Sequence, residues 1–149
     1  MIVYRITHSK YANKLTASGN PARWNSKDVK VIYSAQSRAL ACLENIVHRN
    51  SRGLHENFKT IIIEIPDSLK VMVIDKRSLL PDWQAFLKMP YTQKLGDEWV
   101  KECQSAILQV PSVIIPEEHN YLLNPAHKDF EKVKHLGNEP FQFDNRFIT

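Results

Sequence analysis

Glycine is scarce in this chain: its 149 residues include four, Gly19, Gly53, Gly96 and Gly137. Their separation excludes a GxGxxG turn and a P-loop, which cradle phosphate through closely spaced glycines. Rossmann- and Walker-type nucleotide binding is therefore not expected. Cysteine is scarcer, with only Cys42 and Cys103. They lack CxxC spacing, which predicts two reduced thiols, Cys42 being packed within a helix. There is no HExxH, and His119, His127 and His135 recur at intervals of eight residues, which do not set ligands on one helical face. No metal site is expected. A GxSxG elbow is also missing. No apolar run approaches the ~20 residues that span a bilayer. Residues 2–6 alternate like a strand directly after Met1, without a leader pattern. These absences predict a cytoplasmic protein with no membrane attachment.

Of the residues present, 43% are apolar and 24% are charged, ordinary values for a globular chain. The length suits one domain, residues 1–149, with a core of its own. A net charge of +4 suits an anionic ligand or an acidic partner and is too small to imply nucleic acid. Lys128, Lys132 and Lys134 alternate with Asp129 and Glu131, the pattern of a solvated face.

Periodicity places a strand over 2–6, a short helix over 11–16, a loop over 22–28 after the Gly19-Asn20-Pro21 breaker, and a strand over 29–33. The clearest helix is 37–49. Ser34 or Ser37 can cap it, and Ala39, Leu40, Leu43, Ile46 and Val47 form its apolar stripe. Glu44 falls beside Leu40, at the edge of that stripe, and His48 and Arg49 complement the C-terminal dipole. Strands are predicted over 60–65, 71–74, 106–110 and 113–115. Pro81-Asp82-Trp83 predicts a helix start with Phe86 and Leu87 turned inward. A second helix is predicted over 94–104, a turn at Asn124-Pro125, and a charged helix or strand over 128–136. The tail over 141–148 is expected to close the sheet. The order is mixed α+β, without the strand–helix alternation of a doubly wound sheet.

Chemistry concentrates between residues 20 and 48. Arg23 follows a turn and precedes Trp24; it is either a guanidinium fork for a diphosphate or carboxylate, or a surface arginine stacked on the indole. Tyr33 either stacks on a ligand or fills a core rim. Glu44 either accepts ribose hydroxyls or pairs with a nearby cation. Ser112, in Val-Pro-Ser-Val-Ile-Ile-Pro, is either a site hydroxyl or a turn residue bonding its own backbone. Asn120 and Asn124 either bind a ligand or cap loops.

Taken together and in order, these residues resemble the RES-domain family, toxins of bacterial RES-Xre toxin–antitoxin modules named for an Arg, a Glu and a Ser. The similarity runs over almost the whole chain. It includes Tyr4-Arg5-Ile6, Ala22-Arg23-Trp24-Asn25-Ser26, Val31-Ile32-Tyr33-Ser34-Ala35 and Ala39-Leu40-Ala41-Cys42-Leu43-Glu44. It continues through Gly96-Asp97-Glu98-Trp99, Val110-Pro111-Ser112-Val113-Ile114-Ile115-Pro116 and Asn120-Tyr121-Leu122-Leu123-Asn124-Pro125. Pro21-Ala22 stand where the family usually has Gly-Gly.

The resemblance implies a compact α+β, ADP-ribosyltransferase-like domain, with central mixed or antiparallel sheets flanked by helices around an NAD-binding cleft. It implies an activity that splits the nicotinamide–ribose bond, with water or phosphate as acceptor, depleting NAD and arresting growth. NAD is then a substrate, with no cofactor and no metal. By the resemblance Arg23, Tyr33, Glu44 and Ser112 are the catalytic set, and Arg5, Trp24, Asn25, Asn120 and Asn124 are substrate contacts. Transferases that modify arginine carry a carboxylate two residues before the first; here that residue is Cys42, so arginine is not the expected acceptor. The implied partner is an Xre-type helix-turn-helix antitoxin that plugs the cleft in a hetero-oligomer. DNA contact belongs to that partner, and this chain binds no nucleic acid itself. The alternatives are a protein ADP-ribosyltransferase, an inactive relative, and a nucleic-acid-binding regulator supported only by the mild positive charge.

Overall fold

The computed structural model describes residues 1–148. The strands are β1 (Ile2–His8), β2 (Ile32–Ala35), β3 (Phe58–Glu64), β4 (Val71–Val73), β5 (Ile107–Pro111), β6 (His119–Leu123) and β7 (Lys134–Phe141). The helices are α1 (Arg38–Arg49) and α2 (Met89–Lys101). The strands form one seven-stranded sheet of order β4-β5-β6-β2-β1-β3-β7. Only the β4–β5 pair is parallel. The expected α+β class is borne out.

Pairing across this sheet is uneven. β1 and β3 run in register from Ile2↔Glu64 to His8↔Phe58, whereas β1 and β2 meet only at Tyr4↔Ala35. The sheet therefore opens along a seam in its middle. Where the ladder stops, the Arg5 guanidinium donates to the Tyr33 carbonyl at 2.8 Å, supplying a partner to a strand acceptor that would otherwise be orphaned.

Strand alternation divides the core. Val3, Ile32, Ile61, Ile63, Ile107 and Leu123 form one cluster. Ile6, Ala35, Leu40, Phe58 and Phe143 form another beneath α1. Trp24, Trp83, Trp99, Leu108, Val110 and Leu122 form the third, against α2. Tyr33 and Ala35 are two apart on β2 and so share a face, yet Tyr33 packs with the α2 cluster and Ala35 with the α1 cluster. Those two clusters thus stand side by side on one face of the sheet.

Several expectations are corrected. Residues 11–16 form no helix; there is a 3-10 turn at Ser9–Tyr11. The Ala12 carbonyl that such a helix would use accepts instead from His135 Nε2 at 2.7 Å and Asn138 Nδ2 at 3.1 Å. The second strand starts later than expected, at Ile32. Residues 113–115 bend rather than extend, because the Ser112 hydroxyl accepts from the amides of Ile114 and Ile115. Phe86 and Leu87 are 77% and 87% exposed, on a loop that reaches only a 3-10 turn before α2 begins at Met89. β6, at His119–Leu123, was not expected as a strand. The outer edge of the sheet is closed by β7, while Phe143 beyond it is buried. Thr149 lies outside the described residues. No helix among the described residues is long and apolar enough to cross a membrane.

Candidate active site

α1 begins where expected. Ser37 caps it, its hydroxyl accepting from the Leu40 amide at 3.1 Å. Leu40 and Ala41 are buried against the sheet, and Glu44, one turn on, is carried to the rim of that packing, half-buried. Its Oε1 accepts a 2.8 Å hydrogen bond from Ser112 Oγ. Burial pushes the Glu44 carboxyl above its ordinary range, while the Ser112 hydrogen bond, the nearby Asn120 amide and the charge of Arg23 pull it back down. Asn120 is buried on β6, its amide also donating to the Ser34 carbonyl at 3.3 Å. Ser112 both holds the bend and reaches Glu44.

Arg23 lies near enough to this carboxylate for their charges to interact. Its Nη1 donates to the carbonyls of Trp83 and Ala85 at 3.3 and 3.2 Å, and Nη2 donates to that of Gln84 at 3.3 Å. These bonds leave the Nε–H, which is buried without a partner. A guanidinium has five donors, so two of them, the shielded Nε–H and one on Nη2, are not engaged here. Burial lowers the Arg23 pKa and the nearby Glu44 charge opposes the shift.

The loop carrying Arg23 is seated on α2. Thr92 Oγ1 donates to the Arg23 carbonyl at 2.6 Å, and Gln93 Nε2 donates to that of Ala22 at 2.9 Å. Asp97 accepts from the Ser26 amide and hydroxyl at 2.9 and 2.6 Å. Between them, a Cβ on Gly96 would lie 1.7 Å from the Trp24 carbonyl oxygen, so only glycine permits this approach. Sequence reasoning missed Thr92, Gln93 and Asp97 as loop-holding residues. Their spacing with Gly96, on one helical face, is the signal that marks them.

Trp24 is buried in the α2 cluster. The Asn25 amide donates to the carbonyls of Asn20, Ser26 and Val29. The Tyr33 hydroxyl donates to Asn25 Oδ1 and accepts from the Trp24 amide at 3.1 Å, and burial pushes the phenol up. In this state Trp24, Asn25 and the Tyr33 hydroxyl brace the loop from within. Neither Pro21 nor Ala22 takes a positive φ; Gly19 does, at +80°, so the turn needs no glycine at 21 or 22.

The structure thus brings Ser112 onto Glu44, with Asn120 and Arg23 near enough to act on the carboxylate, the Tyr33 hydroxyl bonded to the Arg23 loop and Arg5 bonded to the Tyr33 carbonyl. It does not bring Asn124 there. Asn124 sits past the other end of β6, its amide nitrogen bonded to the Ala106 carbonyl and its Oδ1 accepting from Ala126. Two cavities of about 310 and 340 Å³ open elsewhere, the first beside Cys103 and His127, the second beside Asp75 and Glu117. A partly buried carboxylate, oriented by a hydroxyl and an amide and facing a cation, can accept sugar hydroxyls and stabilise positive charge developing beside it, while the cation takes an anionic group.

Over 128 residues the chain is 41% identical to the Prs ADP-ribosylating toxin of Sphingobium sp. (strain YBL2), covering 85% of this chain and 80% of that one. It is 37% identical to the Toxin Res of Photorhabdus laumondii, covering 99% and 97%. The Toxin Res of Pseudomonas putida is 32% identical, covering 99% of this chain and all of that one. The crystal structure of the M. tuberculosis MbcT-MbcA toxin–antitoxin complex contains the same fold, with a TM-score of 0.76 over 95% of this chain and 84% of that chain at 15% identity. A family model described as RES domain matches residues 2–144. With that match spanning nearly every element described, the chain belongs to the RES-domain family.

Proposed function

We propose that this chain is the toxin of a toxin–antitoxin module and consumes NAD by breaking the nicotinamide–ribose bond. One observation carries the reading: Ser112, Asn120 and Arg23 converge from three separate segments on the partly buried Glu44 carboxylate. In the proposed step the C1′–N1 bond of the nicotinamide riboside breaks and nicotinamide departs neutral with the bonding pair. Positive charge builds on the ribosyl carbon and its ring oxygen, as in glycoside cleavage. The Glu44 carboxylate offsets that charge, and Ser112 and Asn120 hold it in place. Arg23 takes the pyrophosphate, with Arg5 as a second cation, and the Tyr33 ring stacks on the nicotinamide. Water completes the reaction as ADP-ribose and a proton; phosphate completes it as the ribosyl phosphate. Because the leaving group is cationic in the substrate, the step calls for no metal and no cofactor.

A cell that makes such an enzyme requires its restraint. The proposed partner is an Xre-type antitoxin that blocks the cleft and carries the DNA-binding function, with the toxin acting in the cytoplasm to arrest growth. The name of the Sphingobium relative favours a second reading, in which the same bond breaks and a protein side chain takes the ADP-ribose. Cys42 stands two residues before Glu44 and argues against arginine as that acceptor.

The test is nicotinamide release by the purified chain, with and without phosphate, beside Glu44→Ala. Release is expected to fall ~100-fold or more in the folded variant, the typical loss for one preorganised polar contact. Accumulation of ADP-ribosylated protein at the pace of nicotinamide release would favour the second reading. A folded wild-type chain that releases no nicotinamide while an active relative does would sink both.

A further inference from the structure

Between β4 and α2 the chain forms a strap, Trp83-Gln84-Ala85, that touches both sides of the site. On one side the Arg23 guanidinium donates to all three of its carbonyls. On the other, Gln84 Nε2 donates to the Val113 carbonyl at 2.8 Å, and Val113 follows the serine that holds Glu44. Trp83 roots the strap, buried against Trp24 with ring centroids 5.9 Å apart. Its far end has no apolar anchor: Phe86 and Leu87 project into solvent, and the loop is closed by a Lys88–Asp82 ion pair at 3.8 Å. Gln84 is exposed, so its side chain adds little burial. What it contributes is one hydrogen bond, placed between the strap and the bend that carries Ser112.

We infer that Gln84 is a positioning residue, which ties the strap to the Ser112 bend and so fixes the span between Arg23 and Glu44. The inference rests on the proposed NAD chemistry, because it assigns the span a ligand. Arg23 is bonded to the strap through three backbone carbonyls and must follow it. The separation of a dinucleotide's pyrophosphate from its reacting ribose is set by covalent geometry. A site that grips both ends needs its cation and carboxylate at a matching distance, and small misplacements there are costly to rate and binding. Gln84 thus selects for ligands whose anionic group lies at a dinucleotide's reach from the ribosyl carbon.

The test uses Gln84→Met, which keeps the side chain's length and removes its donor, in the full chain. Losing one neutral hydrogen bond is expected to raise KM for NAD about 3- to 10-fold, with kcat nearly unchanged and thermal stability retained. In an Arg23→Lys background the same substitution is expected to leave KM where Arg23→Lys alone puts it, since the guanidinium being positioned is gone. Independently of NAD, hydrogen exchange in ligand-free Gln84→Met is expected to quicken at the Ile114 and Ile115 amides, which donate to Ser112, and to stay the same in β3. Unchanged exchange at those two amides overturns the role of Gln84 whether or not NAD is the substrate. Additive effects of Gln84→Met and Arg23→Lys, or a KM that does not move, overturn it as well. A wild-type chain that releases no nicotinamide counts against the functional reading, and the exchange result then decides the structural tie by itself.

Discussion

At the scale of the residue, Glu44 is subject to opposed demands. Its surroundings hold the carboxyl above its ordinary range, burial outweighing Ser112, Asn120 and Arg23, while the proposed chemistry needs the carboxylate form. The folded protein therefore binds this proton more tightly than the unfolded chain does. The stability that results is fully present below the unfolded pKa and is lost as pH rises through the folded one. Glu44→Gln has no such loss. In urea unfolding it is expected to gain stability over wild type at pH 7 and to show a smaller advantage at pH 4. An equal difference at both pH values would remove burial as the dominant influence on this side chain. In the same window, wild-type nicotinamide release is expected to decline as acid protonates Glu44, with the loss centred above the ordinary glutamate range. A pH profile flat down to pH 4 would mean that this carboxylate is not the titrating group.

At the scale of the element, α2 serves mainly as a seat for the Arg23 loop, and Gly96 sets how close the two come. Gly96→Ala forces a methyl carbon against the Trp24 carbonyl, where backbone must yield rather than a flexible side chain. The expected cost is about 3 kcal/mol, read as a lowered denaturation midpoint. Nicotinamide release is expected to fall with it, because the displaced loop carries Arg23. A variant as stable as wild type would show that loop and helix separate freely. The sequence made α1 legible to within a residue, because a serine cap, an apolar stripe and a basic last turn all agreed. Glu44, Ser112 and Arg23 were legible as residues through their order along the chain. Their meeting was not, since it depends on contacts between segments 60 or more residues apart. Residues 113–115 misled because an apolar run flanked by proline looks like a buried strand, and only a serine hydroxyl capturing two amides makes it a bend. Phe86 and Leu87 misled because two adjacent apolar side chains carry no period, so nothing local says which way they face. β6 was hidden by its polar start, His119-Asn120, whose pairing to Val110 and Ala35 is decided entirely by neighbouring strands.

At the scale of the whole molecule, the cluster beneath α1 can be followed through one thiol, with the other as an exposed reference. Cys42 is half-buried on α1 and packed against the Ile6 and Leu40 cluster, and burial pushes its thiol up. Cys103 is exposed just past α2. Iodoacetamide is expected to label Cys103 quickly and Cys42 only as fast as the α1 cluster opens. Equal rates in native buffer would show that this cluster is loose on the labelling timescale. The seam between β1 and β2 gives that measurement a wider meaning. α1 packs across both of those strands, so the helix that presents Glu44 is also the splint over the place where the sheet is stitched by one backbone pair and the Arg5–Tyr33 bond. The carboxylate therefore rides on a suture. Any change that widens the seam also alters the aperture between Glu44 and Arg23, even when every residue lining it is left untouched.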